Sequence, residues 1–177
     1  LLAPLLIAVA VFIKLDSAGP ALFRQSRLGL NGRAFGILKF RTMNVVEDGD
    51  AVVQAERNDA RVTRIGAFLR TTSIDELPQL LNVITGDMSL VGPRPHAIAH
   101  DIHYASLIPE YVQRQSVKPG IPGWAQVNGY RGGTPTLDLM QSRVDLDIWY
   151  ADHASVALDL VILLRTPLEL LRNRNVY

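Results

Sequence analysis

Asp75 and Glu76 stand side by side in TTSIDELPQLLNVITGDMSLVGPRP, residues 71–95. Arg70 precedes them, and Arg94 follows in a Gly92-Pro93-Arg94-Pro95 turn that cannot form helix. Adjacent carboxylates alone repel a phosphate. Flanked by arginines and joined by a divalent cation, they become phosphoryl-transfer machinery, because Mg²⁺ takes one or two carboxylates together with substrate phosphates. The blander reading is a capping box, with Ser73 as cap and Glu76 reaching back to it. Whether Ser73 or Asp75 is the cap, both carboxylates fall in the first turn of a helix. There the dipole favours an ionised Asp75 and free N–H groups suit phosphate. At 100° per residue, Leu77, Leu80, Leu81 and Ile84 form an apolar stripe, while Asp75, Gln79 and Asn82 align opposite, a face more polar than a cap requires. Local physics leaves the catalytic and the capping readings both open.

Other elements must hold these groups in place. Leu22–Met43 predicts a β-hairpin turning at Asn31-Gly32. It carries Arg24, Arg27, Arg33, Lys39 and Arg41 and no acid, a patch that suits a solvated face, anionic headgroups or phosphate. Asn44–Asp59 reverses the sign through Glu47, Asp48, Asp50, Glu56 and Asp59, as a solvated surface loop does. Arg61–Arg70 predicts a short helix leading into the acidic pair. His96, His100 and His103 share one face of an expected helix, yet three ligands from one helix cannot easily surround a metal, so surface or interface histidines are expected. Val117–Tyr130 is a glycine- and proline-rich shaped loop with Trp124 as a packing anchor. Thr136–Ala151 predicts an amphipathic helix through Leu137, Met140, Val144 and Ile148. Val156–Leu171 predicts a second, apolar through Leu163 and Leu164 and suited to a bilayer surface or to a core.

The 177 residues fit one domain, and 48% apolar with 20% charged residues marks a globular chain. A net charge of +1 argues against a dedicated nucleic-acid binder. Without cysteine there is no disulfide, thiolate metal site or thiol nucleophile. No P-loop, G-x-G-x-x-G, H-E-x-x-H or G-x-S-x-G is present, which removes several enzyme classes. Leu1–Ile13 is uncharged, and Pro4 is expected to break it. As a helix it reaches roughly 20 Å, short of the ~30 Å hydrocarbon core. It reads as the end of a spanning helix, a re-entrant or interfacial element, or a buried helix. Because it opens inside an apolar run, the chain is expected to be the C-terminal portion of a longer protein.

KFRTM (Lys39–Met43), TSIDELPQLLNVITGDMSLVGPRP (Thr72–Pro95) and KPGIPGWAQVNG (Lys118–Gly129) resemble, in that order, the bacterial sugar transferase family. Its members are monotopic polyprenyl-phosphate sugar-1-phosphate transferases, and the resemblance runs from about Pro4 to Thr166. It implies a mixed α/β fold: one compact, membrane-associated catalytic domain over residues 1–177, with residues 1–15 a re-entrant helix, a small β-hairpin and amphipathic surface helices. It implies transfer of a sugar 1-phosphate from a UDP-sugar to undecaprenyl phosphate with release of UMP, the first membrane step of exopolysaccharide, capsule or O-antigen synthesis. By this resemblance Asp75 attacks the sugar-linked phosphorus to form a phosphosugar-aspartyl intermediate, and Glu76 holds Mg²⁺. Lys39, Arg41, Arg70 and Arg94 would hold phosphates, with Gln79 and Asp147 as further site candidates. The implied partners are the UDP-sugar, undecaprenyl phosphate and membrane lipid, with a homodimer admitted and no nucleic acid. The implied place is the cytoplasmic face of the bacterial inner membrane. RPHAIAH and KPGIPGWAQVNGYRG look like the subgroup that uses UDP-glucose. Two departures stand out: Pro122 replaces a usual threonine, stiffening its loop, and YADHAS at Tyr150–Ser155 leaves Ala154 without an aromatic anchor. The rival readings are a non-catalytic membrane-bound scaffold of polysaccharide assembly and, disfavoured by the apolar N-terminal run, a soluble nucleotide-sugar hydrolase.

Overall fold

The computed structural model describes residues 2–44 and 59–172. Within them the chain is mixed α/β, a two-stranded antiparallel sheet among seven α-helices. Of the acidic run, Glu47, Asp48, Asp50 and Glu56 lie outside the described residues, while Asp59 pairs with Arg61 at 2.7 Å.

Helix α1 (Leu2–Asp16) includes Pro4 in its first described turn. Val9 and Ile13 are buried against Phe40 and Leu69, whereas Leu5, Ile7, Val11, Phe12 and Leu15 are exposed. Two contacts fasten its C-terminal end. The Asp16 carboxylate accepts the N–H of Ile65 at the start of α2 (Arg64–Thr72), and Arg41 donates to the Ser17 and Ala18 carbonyls. No described helix is long and apolar enough to cross a membrane.

Strand β1 (Leu22–Leu28) pairs with β2 (Ala34–Phe40), from Leu22↔Phe40 to Leu28↔Ala34. The hairpin is as the sequence predicts, but its connection spans residues 29–33 rather than Asn31-Gly32 alone. Asn31 and Gly32 both take positive φ (54° and 73°), and the Gly29 N–H closes the loop on the Arg33 carbonyl at 2.9 Å. Asn and Gly are the residues that accept the left-handed region most readily.

Helix α3 (Gln79–Ile84) covers the other edge of β2. Asn82 Oδ1 accepts the Leu38 N–H at 3.0 Å, and Asn82 Nδ2 donates to the Gly36 carbonyl at 2.9 Å. One side-chain amide thereby does for two backbone groups what a further strand would do. This inverts the amphipathic expectation: Gln79 and Asn82 are 1% and 4% exposed, while Leu81 and Ile84 are 47% and 80% exposed.

Past α3, SLVGPRP and KPGIPGW lie backbone to backbone. Ser89 N–H donates to the Pro119 carbonyl, Ile121 to Leu90, Gly92 to Pro122 and Gly120 to Pro93, at 2.8–3.1 Å. A methyl group on Gly92, Gly120 or Gly123 would overlap the facing backbone. Glycine is required here for close approach, and Pro122 serves through its carbonyl. The loop is mostly irregular, as expected, but Trp124–Val127 forms one helical turn, α5. Helices α4 (Ile98–Leu107), α6 (Leu137–His153) and α7 (Val156–Arg172) close two further cores. One joins Val91, Val127, Tyr150 and Ile162, the other Ile108, Tyr111, Met140 and Val144.

Candidate active site

The acidic pair sits on a chain reversal. Helix α2 ends at Ser73, whose φ of 57° is left-handed, and residues Ile74–Glu76 form a single 3₁₀ turn before Pro78 leads into α3. The capping box is absent. Ser73 makes no cap bond, its hydroxyl accepting from Arg131 at 2.6 Å instead. The dyad therefore occupies a tight turn rather than the first turn of an α-helix, and the dipole argument gives way to side-chain charges.

Those charges treat the two carboxylates differently. Glu76 is buried between two cations: Lys39 Nζ lies 3.1 Å from Oε1, and Arg94 forks onto both oxygens, reaching Oε2 at 3.0 Å. Burial opposes its ionisation, but Arg94 and Lys39 outweigh burial and hold Glu76 well below the usual carboxylate range. Asp75 is half-buried, and among the described residues no hydrogen bond fixes its carboxylate. Burial, and next the charge of Glu76, push it up to about 6, with Lys39, Arg94 and Arg70 pulling the other way. Burial also lowers Lys39, partly offset by Glu76, while Glu76 raises Arg94. The site thus pairs one locked anion with a more basic, unfastened neighbour.

The fold brings Lys39, Arg70, Arg94 and the acidic pair together. Arg41 is placed elsewhere: its guanidinium is spent on Ser17 and Ala18, clamping α1 to the hairpin. Gln79 is buried on α3, its Nε2 without a hydrogen-bond partner among the described residues. Asp147 lies behind the site, in a buried ion pair with Arg114 at 2.7 Å. His96 corrects the expectation of a surface histidine. It precedes α4, is buried, and meets the Tyr111 hydroxyl at 2.6 Å through Nδ1. Burial and the neighbouring Arg114 hold its imidazole far below its ordinary range.

Three further arginines, Arg131, Arg143 and Arg114, stand at or behind the site with little mark in the sequence. Arg131 feels both Glu76 and Asp75, and its only signal was a lone cation in a glycine-rich run, GYRGG. Arg143 holds that run in shape by donating to the Tyr130 and Gly132 carbonyls at 2.7 and 2.6 Å. Arg143 and Asp147 stand four apart on α6, a readable spacing. Arg114 gave no signal, since arginine is seldom fully buried.

The groups that could hold a divalent cation here are the two carboxylates. Among the described residues Glu76 Oε2 takes only the Arg94 bond and no hydrogen bond fixes Asp75, and carboxylate oxygens are the hard donors Mg²⁺ selects. Among the described residues no group of three or more His, Cys, Asp or Glu could hold a metal, so the remaining ligands would be substrate oxygens and water.

The profile of the family described as Bacterial sugar transferase matches residues 1–173. The chain belongs to the bacterial sugar transferase family. The UDP-glucose:undecaprenyl-phosphate glucose-1-phosphate transferase of Caulobacter vibrioides is 59% identical over 177 residues, covering 100% of this chain and 66% of that protein. The Escherichia coli K12 protein of the same name is 50% identical over 177 residues, covering 100% of this chain and 38% of its own length. The exopolysaccharide production protein PSS of Rhizobium leguminosarum is 47% identical over 178 residues, covering 98% and 89%. The chain thus spans less than two thirds of the first two relatives.

Proposed function

We propose that this sugar transferase chain moves a sugar 1-phosphate, glucose 1-phosphate by analogy with its UDP-glucose-using relatives, from a UDP-sugar to undecaprenyl phosphate. The observation that carries the reading is the inequality of the two carboxylates. Glu76 is locked by Lys39 and Arg94, whereas Asp75 is unfastened and raised to about 6, so at neutral pH it is ionised and more basic than an ordinary aspartate. That is what a nucleophile needs.

An Asp75 oxygen attacks the phosphorus bearing the sugar, the bond from that phosphorus to the UMP oxygen breaks, and UMP leaves. An oxygen of undecaprenyl phosphate then attacks the same phosphorus, breaking the aspartyl bond and restoring the carboxylate. Lys39, Arg70, Arg94 and Arg131 surround the two acids, leaving an excess of cations to receive a diphosphate. Gln79 offers a buried, unpaired donor nearby in the chain. Mg²⁺, held by Glu76 together with substrate oxygens, would neutralise charge developing on the phosphoryl group.

The exposed apolar side of α1 supports a monotopic attachment, with α1 embedded from the cytoplasmic side as a re-entrant element. The name of the Rhizobium relative supports a place in exopolysaccharide production. The test is purified protein with UDP-glucose, Mg²⁺ and undecaprenyl phosphate, followed by UMP release. Equal release by Asp75→Asn would remove the nucleophile. No UMP from any common UDP-sugar would favour the scaffold.

A further inference from the structure

The buried pair Arg114–Asp147 is by itself weak evidence of stabilisation. Arg114 and Asp147 are 3% and 2% exposed, and burying two charges costs about as much as their attraction returns. What the pair does have is a third contact. Arg114 Nε and Nη2 grip Asp147 Oδ2 at 3.0 and 2.7 Å, and Nη2 also donates to the backbone carbonyl of Arg94. On its far side Nη1 meets His96 Nδ1 at 3.3 Å, and that histidine is backed by the Tyr111 hydroxyl.

Arg94 is therefore held from both ends. Its side chain forks onto Glu76, and its carbonyl is fixed from behind by a second guanidinium whose direction Asp147 sets. Pro93 and Pro95 restrict the turn on either side, but prolines fix φ and not the position of the turn relative to Glu76. We propose that Arg114 and Asp147 are positioning residues for the transfer reaction, acting through the Arg94 backbone to hold the Arg94 fork on Glu76. This rests on the reading of Glu76 and Arg94 as part of the reaction site. It assigns a role to Asp147 that keeps it out of contact with substrate. Lysine does not reproduce these contacts, because one ammonium nitrogen cannot stand in for Nε and Nη2 together, which both reach Asp147 Oδ2 while Nη2 also reaches the Arg94 carbonyl.

The experiment is a double-mutant cycle on the full chain, read as UMP release from UDP-glucose and undecaprenyl phosphate, with thermal unfolding of each variant. Arg114→Lys is expected to lower kcat on the order of 10²-fold, the scale of a small misplacement of a catalytic group. KM for UDP-glucose should change far less. Asp147→Asn, which keeps the shape of the side chain, should act in the same direction and carries the cycle if Arg114→Lys does not fold. In an Arg94→Ala background, either change should cost less than about twofold more, since residues acting through one another are not additive. Losses that multiply across the two backgrounds would overturn the proposal while leaving the Arg94 site intact, because a merely structural role predicts that. If Arg94→Ala alone leaves the rate unchanged, the site reading fails, and the positioning role with it.

Discussion

At the scale of single residues, the neighbours Asp75 and Glu76 differ because of what reaches each. Two cations reach Glu76, while burial and a like charge act on Asp75. The sign of the pH dependence follows. Only the ionised carboxylate attacks phosphorus, and Asp75 takes up its proton as pH falls through about 6. The kcat/KM profile for UMP release should therefore fall below about pH 6 and be flat above it until another group titrates. Asp75→Asn should lower the rate on the order of 10³-fold or more at every pH, measured by the same assay. Lys39 pulls the Asp75 carboxyl down, so Lys39→Met should move the acidic limb upward and cost more rate at pH 6 than at pH 8. An unmoved limb would mean that Asp75 is not the titrating group.

At the scale of elements, the site depends on two joints that hold backbone to backbone or side chain to backbone. Asn82 ties α3 to β2 and so keeps Lys39, one residue beyond Leu38, beside the turn that carries Glu76. Asn82→Ala removes the partner of the part-buried Leu38 N–H and Gly36 carbonyl, at about 0.5–1.5 kcal/mol for each hydrogen bond. Ile84→Ala, at an 80% exposed position, should stay within about 0.5 kcal/mol in detergent solution. Comparing the two variants by denaturant unfolding tests whether the polar side of α3 is the one that matters. The glycine seam is the second joint. Gly120→Ala must push apart the segments that carry Arg94 and Trp124, so both the unfolding midpoint and UMP release should drop, whereas Gly129→Ala meets nothing within 4 Å and strains only its own φ of 95°.

At the scale of the whole molecule, α1 packs only one side onto the domain. Val9 and Ile13 join Phe40 and Leu69, while Ile7, Val11 and Phe12 stay 65%, 52% and 58% exposed. If that side lies in lipid, Val11→Asp with Phe12→Asp should reduce co-flotation with liposomes of bacterial lipid. The soluble assay with short-chain acceptor should change little. Leu69→Ala, beneath the same helix, should instead cost about 2–5 kcal/mol of stability, seen in thermal unfolding. Equal flotation by the double aspartate variant would argue against membrane attachment through α1.

What the chain determined by itself is local. The hairpin follows from Asn31-Gly32, the turn of Arg94 from its flanking prolines, and the helices from their apolar period, since each depends on dihedral preferences of neighbouring residues. The adjacency of Asp75 and Glu76 and their basic surroundings were likewise legible, and so were the motif words that tie the chain to its family. Tertiary structure decided the rest, because burial and pairing are set by partners distant in sequence. Periodicity marks two sides of α3 but not which faces inward, and the unpaired edge of β2 selects the amide side over the leucines. Arg41 and Asp147 look like phosphate-site residues in one dimension. In three, Arg41 fastens α1, and Asp147 meets an arginine 33 positions away that grips Arg94 from behind. The unequal proton affinities of Asp75 and Glu76 have the same origin, for folding buries Asp75 beside the charge of Glu76 and sets Lys39 and Arg94 in ion pairs with Glu76.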